Sequence, residues 1–421
     1  MADQTSTIPK GWKMTTLGEV ADIKGGKRLP KDKNLVNYKT KHPYIRITDL
    51  ENNQIKKNQL QFVPDEVFPS ISRYIVNSGD VIVSIVGSIG FVARIDNDLD
   101  NASLTENCVK FVNLKNLDSK FLYYYLISKL GQDEIIKNTV GAVQKKLPIY
   151  GVQNIQISLS SLPEQRAIAS VLSSLDDKIE LLREQNKTLE STAQAIFKEW
   201  FVNFNFPSAT NKMIDSELGK IPDGWRAGKL GEVTDIRGGT TPSTQNPDFW
   251  NGNIAWTSPK DLSNSKGVFL LQTEKKITEE GLRQIGSGLL PEGTLLLSSR
   301  APIGYLAITN LDVAINQGYI AFLPDQYFSN NFMFLWLKVN METVIGSANG
   351  STFLEISKSS FRNIDCIVPD SGVLVKFNTA INALFNKMLS NTLQIQTLST
   401  LRDTLLPKLM KGEVRVEGFK N

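Results

Sequence analysis

Apolar residues recur at alternating spacings of four and three between Leu162 and Trp200. This stretch contains no glycine, and its one proline, Pro163, falls in the first turn, where helices tolerate proline. Ser161 followed by Glu164 is typical of a capping box. A heptad repeat of this length favours a long coiled-coil helix over a surface helix. Its positions are Ile168, Leu172, Leu175, Ile179, Leu182, Asn186, Leu189, Ala193, Ile196 and Trp200.

A second stretch, residues 373–406, carries the same pattern, and Pro407 is expected to end its helix. If the two helices pair in antiparallel fashion, Asn186 lies opposite Asn391, and a polar pair of this kind fixes register. The alternative is that both asparagines face solvent on helices that pack separately. The positions of the second repeat are Phe377, Ile381, Leu384, Met388, Asn391, Ile395, Leu398, Arg402 and Leu405.

The same register predicts the rest of the seam between the two helices. Leu175 against Arg402 is the one pair that fits poorly. At 1.5 Å per residue the helices are about 58 Å and about 50 Å long. Antiparallel pairing then places one globular domain at each end of a rigid spacer, related by an approximate two-fold axis. The apolar pairs are Leu182 with Ile395, Leu189 with Met388, Ile196 with Ile381 and Trp200 with Phe377.

Outside these stretches the chain alternates between short β-like runs and turns rich in Gly, Pro and Ser, for example at 81–86 and 295–298. A short aromatic helix is predicted after each run, over 119–130 and 329–340. This texture predicts an α+β fold in which two similar globular domains are separated by the two long antiparallel helices.

The N-terminal half of the chain recurs in the C-terminal half at an offset of 213 residues: Ile-Pro-x-Gly-Trp lies at 8–12 and 221–225, and Gly-Gly at 25–26 and 238–239. A period this long indicates duplication of a whole domain with its trailing helix. Trp12 and Trp225 are interpreted as buried anchors. The predicted division is a first domain over 1–161, a first spacer helix and linker over 162–206, a second domain over 207–371, and a second spacer helix with a tail over 372–421.

Composition narrows the function classes. The only histidine is His42, which excludes metal sites built on several histidines. Cys108 and Cys366 lack partners for a disulfide framework, which fits a reducing cytosol. No apolar run is long enough to span a bilayer and the first ten residues are polar, so we expect a cytoplasmic protein.

The net charge of +4 is too small to indicate a partner by itself. Along the chain it divides into +5 over 1–161, −2 over 162–201, −3 over 202–372 and +4 over 373–411. Any nucleic-acid surface must therefore be a local patch. The negative third segment counts against such a role.

Signals for catalysis are weak. Pro247-Asp248 with Glu274-Lys275-Lys276 matches a loose nuclease pattern, in which two carboxylates hold a metal near a lysine. The chain has five Pro-Asp dipeptides and the other copy lacks the pattern, so one chance match is expected. No Walker loop, Gly-x-Ser-x-Gly elbow or Cys-x-x-Cys motif occurs. The sequence predicts no catalytic, metal or cofactor site of its own.

Candidate nucleic-acid contacts lie in loops that follow the paired glycines. The glycines supply either close backbone approach to phosphate or a tight turn with positive φ. The cations that follow form either phosphate contacts or a solvated charge run, and Arg300 is a candidate for bidentate base contact. Lys145-Lys146 is roughly mirrored by residues 350–353. The predicted DNA-binding residues are Lys24, Lys27, Arg28, Lys31, Lys33, Lys145, Lys146, Arg237, Thr240, Thr241, Arg300, Ser351 and Thr352.

Over nearly its whole length the sequence resembles the DNA-specificity subunit of type I restriction–modification enzymes. The residues that carry the resemblance are both Ile-Pro-x-Gly-Trp openings, Leu-Pro-Glu-Gln-Arg at 162–166, Ala-Ile-Phe-Lys-Glu-Trp-Phe at 195–201, Gly-Gly-Thr at 238–240, Ser-Arg-Ala-Pro-Ile-Gly-Tyr at 299–305, and 401–410. One departure is that the second long helix opens with Pro-Asp-Ser-Gly at 369–372, which puts its capping and any partner contact there in doubt.

The resemblance implies that each domain recognises one half of a bipartite double-stranded DNA target and that the helices set the gap. Two modification subunits, which bring S-adenosylmethionine, would dock on the helices, and restriction subunits would join for cleavage; the chain itself would not be an enzyme. Two other interpretations stay open: a non-DNA scaffold with twin protein-binding domains, and a self-sufficient nuclease or methyltransferase.

Overall fold

The structure, a computed structural model, describes residues 9–210, 212–264, 267–325, 327–350 and 354–416. Its contacts divide the chain into two compact units. The first unit comprises the chain up to Lys178 together with the segment from Leu398 onward, and the second unit is Ile179–Thr397. Each unit therefore contains residues of one predicted domain and parts of both heptad stretches.

The first unit is built from short strands, small helices and 3₁₀ turns. Two of its sheets are four-stranded, with the orders β6-β3-β10-β7 and β2-β11-β8-β9, and β1 pairs with β12. The bounds are β1 (Lys13–Thr16), α1 (Leu17–Val20), β2 (Asp22–Gly25), β3 (Pro43–Ile45), β4 (Leu50–Glu51), β5 (Gln54–Ile55), β6 (Gln61–Phe62), β7 (Ile75–Val76), β8 (Val81–Ser84), β9 (Val92–Arg94), β10 (Ala102–Leu104), β11 (Cys108–Val112), α2 (Ser119–Ile127), α3 (Lys129–Lys137), α4 (Ile149–Gln153) and β12 (Gln156–Leu159).

The two long helices are α5 (Leu162–Phe201) and α12 (Ser371–Met410), each of 40 residues. The prediction that Pro407 ends the second helix is wrong. A proline near a helix end removes a single hydrogen bond, and Leu409 and Met410, buried in the core of the first unit, stabilise the last turn. Glu164, which the sequence predicts to form a capping box with Ser161, pairs with Arg415, whose Nε lies 2.5 Å from the Glu164 Oε1.

The second unit has a five-stranded sheet of order β16-β23-β20-β21-β18 and a three-stranded sheet of order β19-β17-β22. The bounds are β13 (Met213–Ser216), β14 (Gly219–Pro222), β15 (Arg226–Lys229), α6 (Leu230–Val233), β16 (Ile236–Arg237), β17 (Trp250–Thr257), α7 (Pro259–Asn264), β18 (Phe269–Leu270), β19 (Lys275–Ile277), α8 (Glu279–Arg283), β20 (Leu295–Ser299), β21 (Ile303–Thr309), β22 (Ala314–Ile315), β23 (Tyr319–Phe322), α9 (Asn330–Val339), α10 (Met341–Gly346), α11 (Lys358–Arg362) and β24 (Asp365–Val368).

The two units repeat the same strand pairings. β1 pairs antiparallel with β12 as β15 pairs with β24, and β3 runs parallel to β10 as β17 runs parallel to β22. The antiparallel order β2-β11-β8 in the first unit matches β16-β23-β20 in the second. Duplication has therefore kept the sheet topology, and the α+β class is confirmed.

In the second unit α5 and α12 run antiparallel, and the predicted register is confirmed. Asn391 Nδ2 donates to Asn186 Oδ1 over 2.9 Å. Asn186 Nδ2 in turn donates to Thr392 Oγ1 over 3.1 Å and to the Met388 carbonyl over 3.3 Å. The rings of Trp200 and Phe377 lie 5.5 Å apart, as the register requires. Because Asn391 is fully buried, the interpretation that both asparagines face solvent is wrong.

In the first unit Arg402, which the predicted register places poorly against Leu175, forms a polar cluster with Tyr124 and Asp176. We call these three residues the Arg402 cluster. Arg402 Nη1 donates to Asp176 Oδ1 over 2.8 Å, and the Tyr124 hydroxyl donates to Asp176 Oδ2 over 2.7 Å. Burial and the neighbouring carboxylate raise the pKa of Tyr124. Arg402 therefore finds its partner one residue beyond Leu175, which a register read from apolar positions alone does not show.

The two repeated tryptophans are buried anchors, as predicted. Trp12 packs edge-on against Phe121 with ring centroids 6.3 Å apart. Trp225 stacks with Phe206 at 5.1 Å and lies 5.8 Å from Phe201 at the end of α5. Each tryptophan belongs to the main apolar cluster of its unit.

The aromatic helix predicted over 119–130 is shorter, since α2 ends at Ile127 and α3 begins at Lys129. Ser128 between them is extended, and its buried hydroxyl donates to the Tyr125 carbonyl and accepts from the Gly131 amide. Serine competes with helix backbone for hydrogen bonds in this way. In the second unit α9 agrees with the prediction to within a residue at each end.

Among the described residues, none of the helices combines the length and the apolar character that crossing a lipid bilayer requires.

Candidate nucleic-acid interface

The paired glycines allow a close backbone crossing in both units. A Cβ on Gly26 would lie 2.1 Å from the Thr105 carbonyl oxygen, and a Cβ on Gly239 would lie 1.8 Å from that of Ile315. None of the four paired glycines is among the residues with positive φ, so the interpretation as a tight turn with positive φ is wrong. These glycines let the chain pass over the end of the parallel strand β10 or β22.

The residue after each crossing is held by an equivalent pair of hydrogen bonds, one between backbone groups and one from an aromatic side chain. The Lys27 amide donates to the Leu104 carbonyl over 2.8 Å, and the Tyr44 hydroxyl donates to the Lys27 carbonyl over 2.8 Å. In the second unit the Thr240 amide donates to the Ile315 carbonyl over 3.1 Å, and Trp256 Nε1 lies 3.5 Å from the Thr240 carbonyl oxygen. The loops therefore start from the same frame whatever side chains follow.

One residue further on, the two units differ in chemistry. Arg28 is paired with Glu106, with Nη2 2.7 Å from Oε1, and its side chain is 76% exposed. At the equivalent place Thr241 Oγ1 donates to Gln317 Oε1 over 2.6 Å. A charged pair in the first unit thus replaces a neutral hydrogen bond in the second.

The other cations predicted for the first loop are exposed, and the structure brings only some of them together. Arg28 and Lys33 line one open cleft of about 710 Å³. Lys24 lies in β2 opposite Lys110, and the Lys27 ammonium lies 5.9 Å from the centre of the Tyr74 ring. Lys31 is exposed without contributing to this cleft.

The cleft also contains Arg46, which sequence reasoning missed. Its Nη2 and Nε donate to Asp49 over 2.7 and 3.0 Å, and this hydrogen bonding raises the pKa of Arg46. Ser258 takes the equivalent place, and its amide donates to Asp261 over 2.9 Å as that of Arg46 donates to Asp49 over 2.8 Å. The repeated spacing of three to an aspartate, at an offset of 212, is the signal that could have identified this position.

The loop of Lys145 and Lys146 is closed by a two-way bridge, in which the Val140 and Lys146 amides each donate to the other's carbonyl over 2.9 Å. Both lysines are exposed. Asn349 and Glu355 make the same bridge in the second unit over 3.0 Å. The proposed mirror of Lys145-Lys146 was therefore out of register, because Lys146 corresponds to Glu355. Ser351 and Thr352 lie outside the described residues.

Arg300 occupies the place next to this bridge in the second unit. Its Nη1 lies 3.6 Å from Glu355 Oε2, and its side chain is 38% exposed. Arg237 in β16 is exposed and paired with Asp235 at 2.9 Å. Both predicted cations therefore have carboxylate partners in the chain itself, and binding phosphate or a base would require exchange of these partners.

Gln165, in the Leu-Pro-Glu-Gln segment that begins α5, links this helix by hydrogen bonds to the segment before α2 in the first unit. Buried Gln165 donates to the Asn116 carbonyl over 3.0 Å and accepts from the Asp118 amide over 2.9 Å. In the second unit Asn378 donates to the Tyr327 carbonyl over 2.9 Å. The different opening of α12 thus keeps the same tie by a residue one turn later.

The loose nuclease pattern is engaged in local structure. Asp248 lies in a 3₁₀ turn, where its amide donates to Asn246 Oδ1 over 3.0 Å. Glu274 is paired with Lys260 at 2.9 Å, and this contact lowers the pKa of the Glu274 carboxyl. These contacts favour the interpretation of the pattern as a chance match.

Comparison with known proteins agrees with this duplicated architecture. The family model described as "Type I restriction modification DNA specificity domain" matches residues 9–191 and 222–391. The chain is 27% identical to the type I restriction enzyme MjaIX specificity subunit of Methanocaldococcus jannaschii, covering 97% of this chain and 95% of that one. It is 25% identical to the HindI specificity subunit of Haemophilus influenzae, covering 88% and 94%.

A solved structure shares the fold. The S subunit of a type I restriction–modification system from M. genitalium superposes with a TM-score of 0.61 at 18% identity, covering 97% of this chain and 98% of that one. The family model alone covers well over half of the sequence, once in each copy of the repeat. The chain therefore belongs to the type I restriction–modification DNA specificity domain family.

Proposed function

We propose that this chain is the DNA-specificity subunit of a type I restriction–modification complex, in which each globular domain recognises one half of a bipartite target. One observation carries the proposal. Two equivalent glycine crossings hold two loops in the same backbone frame, while the side chains beyond them differ, as Arg28–Glu106 and Thr241–Gln317 do. A protein that recognises two different half-sites needs this combination of shared frame and differing contacts.

The chemistry of the loops divides the expected contacts into two kinds. Exposed lysines such as Lys31 and Lys145 suit phosphate contacts, which position the protein without reading sequence. Arg28, Arg46 and Arg300 present guanidinium groups that suit bidentate contact with guanine. Because these three are already paired with carboxylates, DNA must offer better partners than Glu106, Asp49 and Glu355, which favours selectivity over tight general binding.

Methylation and cleavage belong to partner subunits in this proposal. Modification subunits would bring S-adenosylmethionine and restriction subunits would join them, in the cytoplasm where the complex meets the chromosome. The names of the relatives, all specificity subunits of type I enzymes, support this division of labour. The long helices α5 and α12 would dock the modification subunits and set the gap between the half-sites.

The test is methylome sequencing of cells that carry this protein with its modification subunits. We expect one bipartite motif with two defined half-sites and a fixed gap. Insertion of seven residues into each long helix adds about 10 Å, and should widen the gap by about three base pairs at 3.4 Å each with both half-sites kept. Absence of any bipartite motif would favour the scaffold interpretation, and loss of a half-site on insertion would contradict the spacer role.

A further inference from the structure

The duplication gives each long helix two potential partners. Because α5 and α12 have the same length and arose from one repeat, each position of α5 has an equivalent in α12 at an offset of 209 residues. The surface that α5 presents to α12 could therefore also meet α5 of a second copy of the chain. What the seam contains decides between these two pairings.

The asparagines Asn186 and Asn391 form a polar layer in the seam, and the equivalent positions of the other helix are apolar. Asn186 corresponds to Ile395 and Asn391 corresponds to Leu182, and the native register places Leu182 opposite Ile395. In an α5–α5 pair of the same geometry, each Asn186 would face Leu182 of the other copy. The asparagine amide, which now bonds Asn391, Thr392 and the Met388 carbonyl, would lose those partners. An α12–α12 pair would likewise set Asn391 against Ile395.

The residues of the Arg402 cluster also have apolar equivalents in the other copy of the repeat. Its equivalents in the second unit are Leu335 for Tyr124, Phe385 for Asp176 and Ala193 for Arg402, and all three are buried in the apolar core. In an α5–α5 pair the Asp176 carboxylate would face Ala193 in place of the guanidinium that it now meets at 2.8 Å. A partly buried carboxylate that loses its ionic partner is destabilised, so this contact opposes the same wrong pairing from a different part of the seam.

We propose that the Asn186–Asn391 layer and the Arg402 cluster select α12 of the same chain as the partner of α5 and exclude a second copy of this chain. The inference goes beyond the proposed function, since it holds whether or not the domains bind DNA. Polar residues at single seam positions select partners in this way because a mismatch leaves a desolvated polar group unpaired.

The test uses three variants of the full chain that change which of two neighbouring seam layers, 186 with 391 and 182 with 395, is polar. N186I/N391L makes both layers apolar, and L182N/I395N makes both layers polar. Each variant removes the asparagine mismatch in an α5–α5 pair and leaves the Arg402 cluster unchanged. The control combines all four changes, N186I/N391L/L182N/I395N, which moves the polar layer while keeping the mismatch. Each variant, and the unaltered chain, is refolded from denaturant over a range of protein concentrations and its dimer fraction measured by sedimentation.

The two symmetrical variants should dimerise with a dissociation constant at least tenfold lower than that of the unaltered chain, and the control should match the unaltered chain. Spin labels on a Glu184→Cys substitution, near the point where two copies of α5 would cross, should report a short distance between copies in the dimers. If only the apolar variant dimerises, hydrophobicity and not mismatch is responsible. Failure of both to dimerise, or dimers without the short distance, would also overturn the proposal.

Discussion

The two copies of the repeated domain have the same backbone arrangement at the glycine crossings, and their side chains differ from the next loop position onward. Gly26 and Gly239 make equivalent crossings. The carbonyl of the residue after each glycine is approached by an aromatic side chain, Tyr44 in the first unit and Trp256 in the second. At the next position, an ion pair stands in one copy and a neutral hydrogen bond in the other. The comparison teaches that the loop frame depends on glycine and backbone carbonyls, so the side chains beyond it can change without altering the frame.

The seam between the long helices shows the opposite behaviour. There the copies differ at the positions that hold the helices together, with the polar Arg402 cluster in the first unit and buried Leu335, Phe385 and Ala193 in the second. The difference lies in how each unit is stabilised, since an ion pair depends on salt and geometry whereas an apolar cluster depends on buried area.

Substitution of the crossing glycine should break the agreement between the copies most severely. Gly26→Ala and Gly239→Ala each place a Cβ about 2 Å from a backbone carbonyl oxygen, which we expect to lower the free energy of unfolding by about 3 kcal/mol and to abolish methylation of the corresponding half-site. Gly25→Ala is the control, since a Cβ there meets no atom within 4 Å. Equal, mild effects of all three in urea unfolding would show that the crossing does not set the frame.

Removal of the arginine from the seam tests the difference between the units. Among the described residues, Arg402→Ala leaves the Asp176 carboxylate with the Tyr124 hydroxyl as its partner, and we expect a loss of about 2 kcal/mol, typical of a hydrogen bond to a charged group. Arg183→Ala, which removes an exposed pair with Glu180 at 3.3 Å, should cost less than about 0.5 kcal/mol. Denaturant titration at low and high salt measures both, and a similar loss in the two variants would contradict the assigned role of the cluster.

Exchanging the Arg28–Glu106 and Thr241–Gln317 pairs tests whether this difference between the copies affects DNA recognition without affecting stability. R28T/E106Q gives the first loop the neutral pair of the second, and T241R/Q317E makes the reverse change. Because the pairs are on the surface, stability should stay within about 1 kcal/mol, while each variant alters only the half-site of its own domain in methylome sequencing. A change in both half-sites at once would contradict independent domains.

The smallest effect concerns Lys110, whose equivalent in the second unit is Ala321. Burial lowers the pKa of Lys110 below its ordinary value of 10.5. In the window between the lowered pKa and 10.5 the unfolded chain binds more protons, so the free energy of unfolding should rise with pH through this contribution.

Lys110→Met should remove that rise, so the difference in stability between the variant and the unaltered chain should change across this pH window. Lys115→Met, at an exposed lysine, controls for the loss of one formal charge. Unfolding midpoints measured at a series of alkaline pH values give the comparison, and parallel curves for Lys110→Met and the unaltered chain would contradict it.

The features predicted correctly from the sequence are those with a repeating or duplicated pattern. The heptad spacing located α5 and α12, and the asparagines within it gave the register of Asn186 with Asn391. The repeated Ile-Pro-x-Gly-Trp located two buried anchors. Patterns of this kind are visible because they depend on residues close in sequence or on direct comparison of the two copies.

The features that sequence reasoning missed depend on contacts between distant residues. The Gly26 crossing needs the carbonyls of Leu104 and Thr105, and the helix continues past Pro407 because of the core beneath it. The partner of Lys146 in the repeat is Glu355, which only the strand bridges reveal. The DNA contacts predicted for the loops stay a prediction, and Arg46 and the carboxylate partners of Arg28, Arg237 and Arg300 were not anticipated from the sequence.

The glycine crossings bear on how such a chain changes over evolutionary time. A loop anchored by a residue without a side chain places no demand on the size or charge of the residues that follow it. We therefore expect new target preferences to arise by a few substitutions in one loop while the rest of the molecule, and its fit to partner subunits, is left alone. Each domain is free to drift separately, and the number of target combinations open to the chain is the product of the two repertoires.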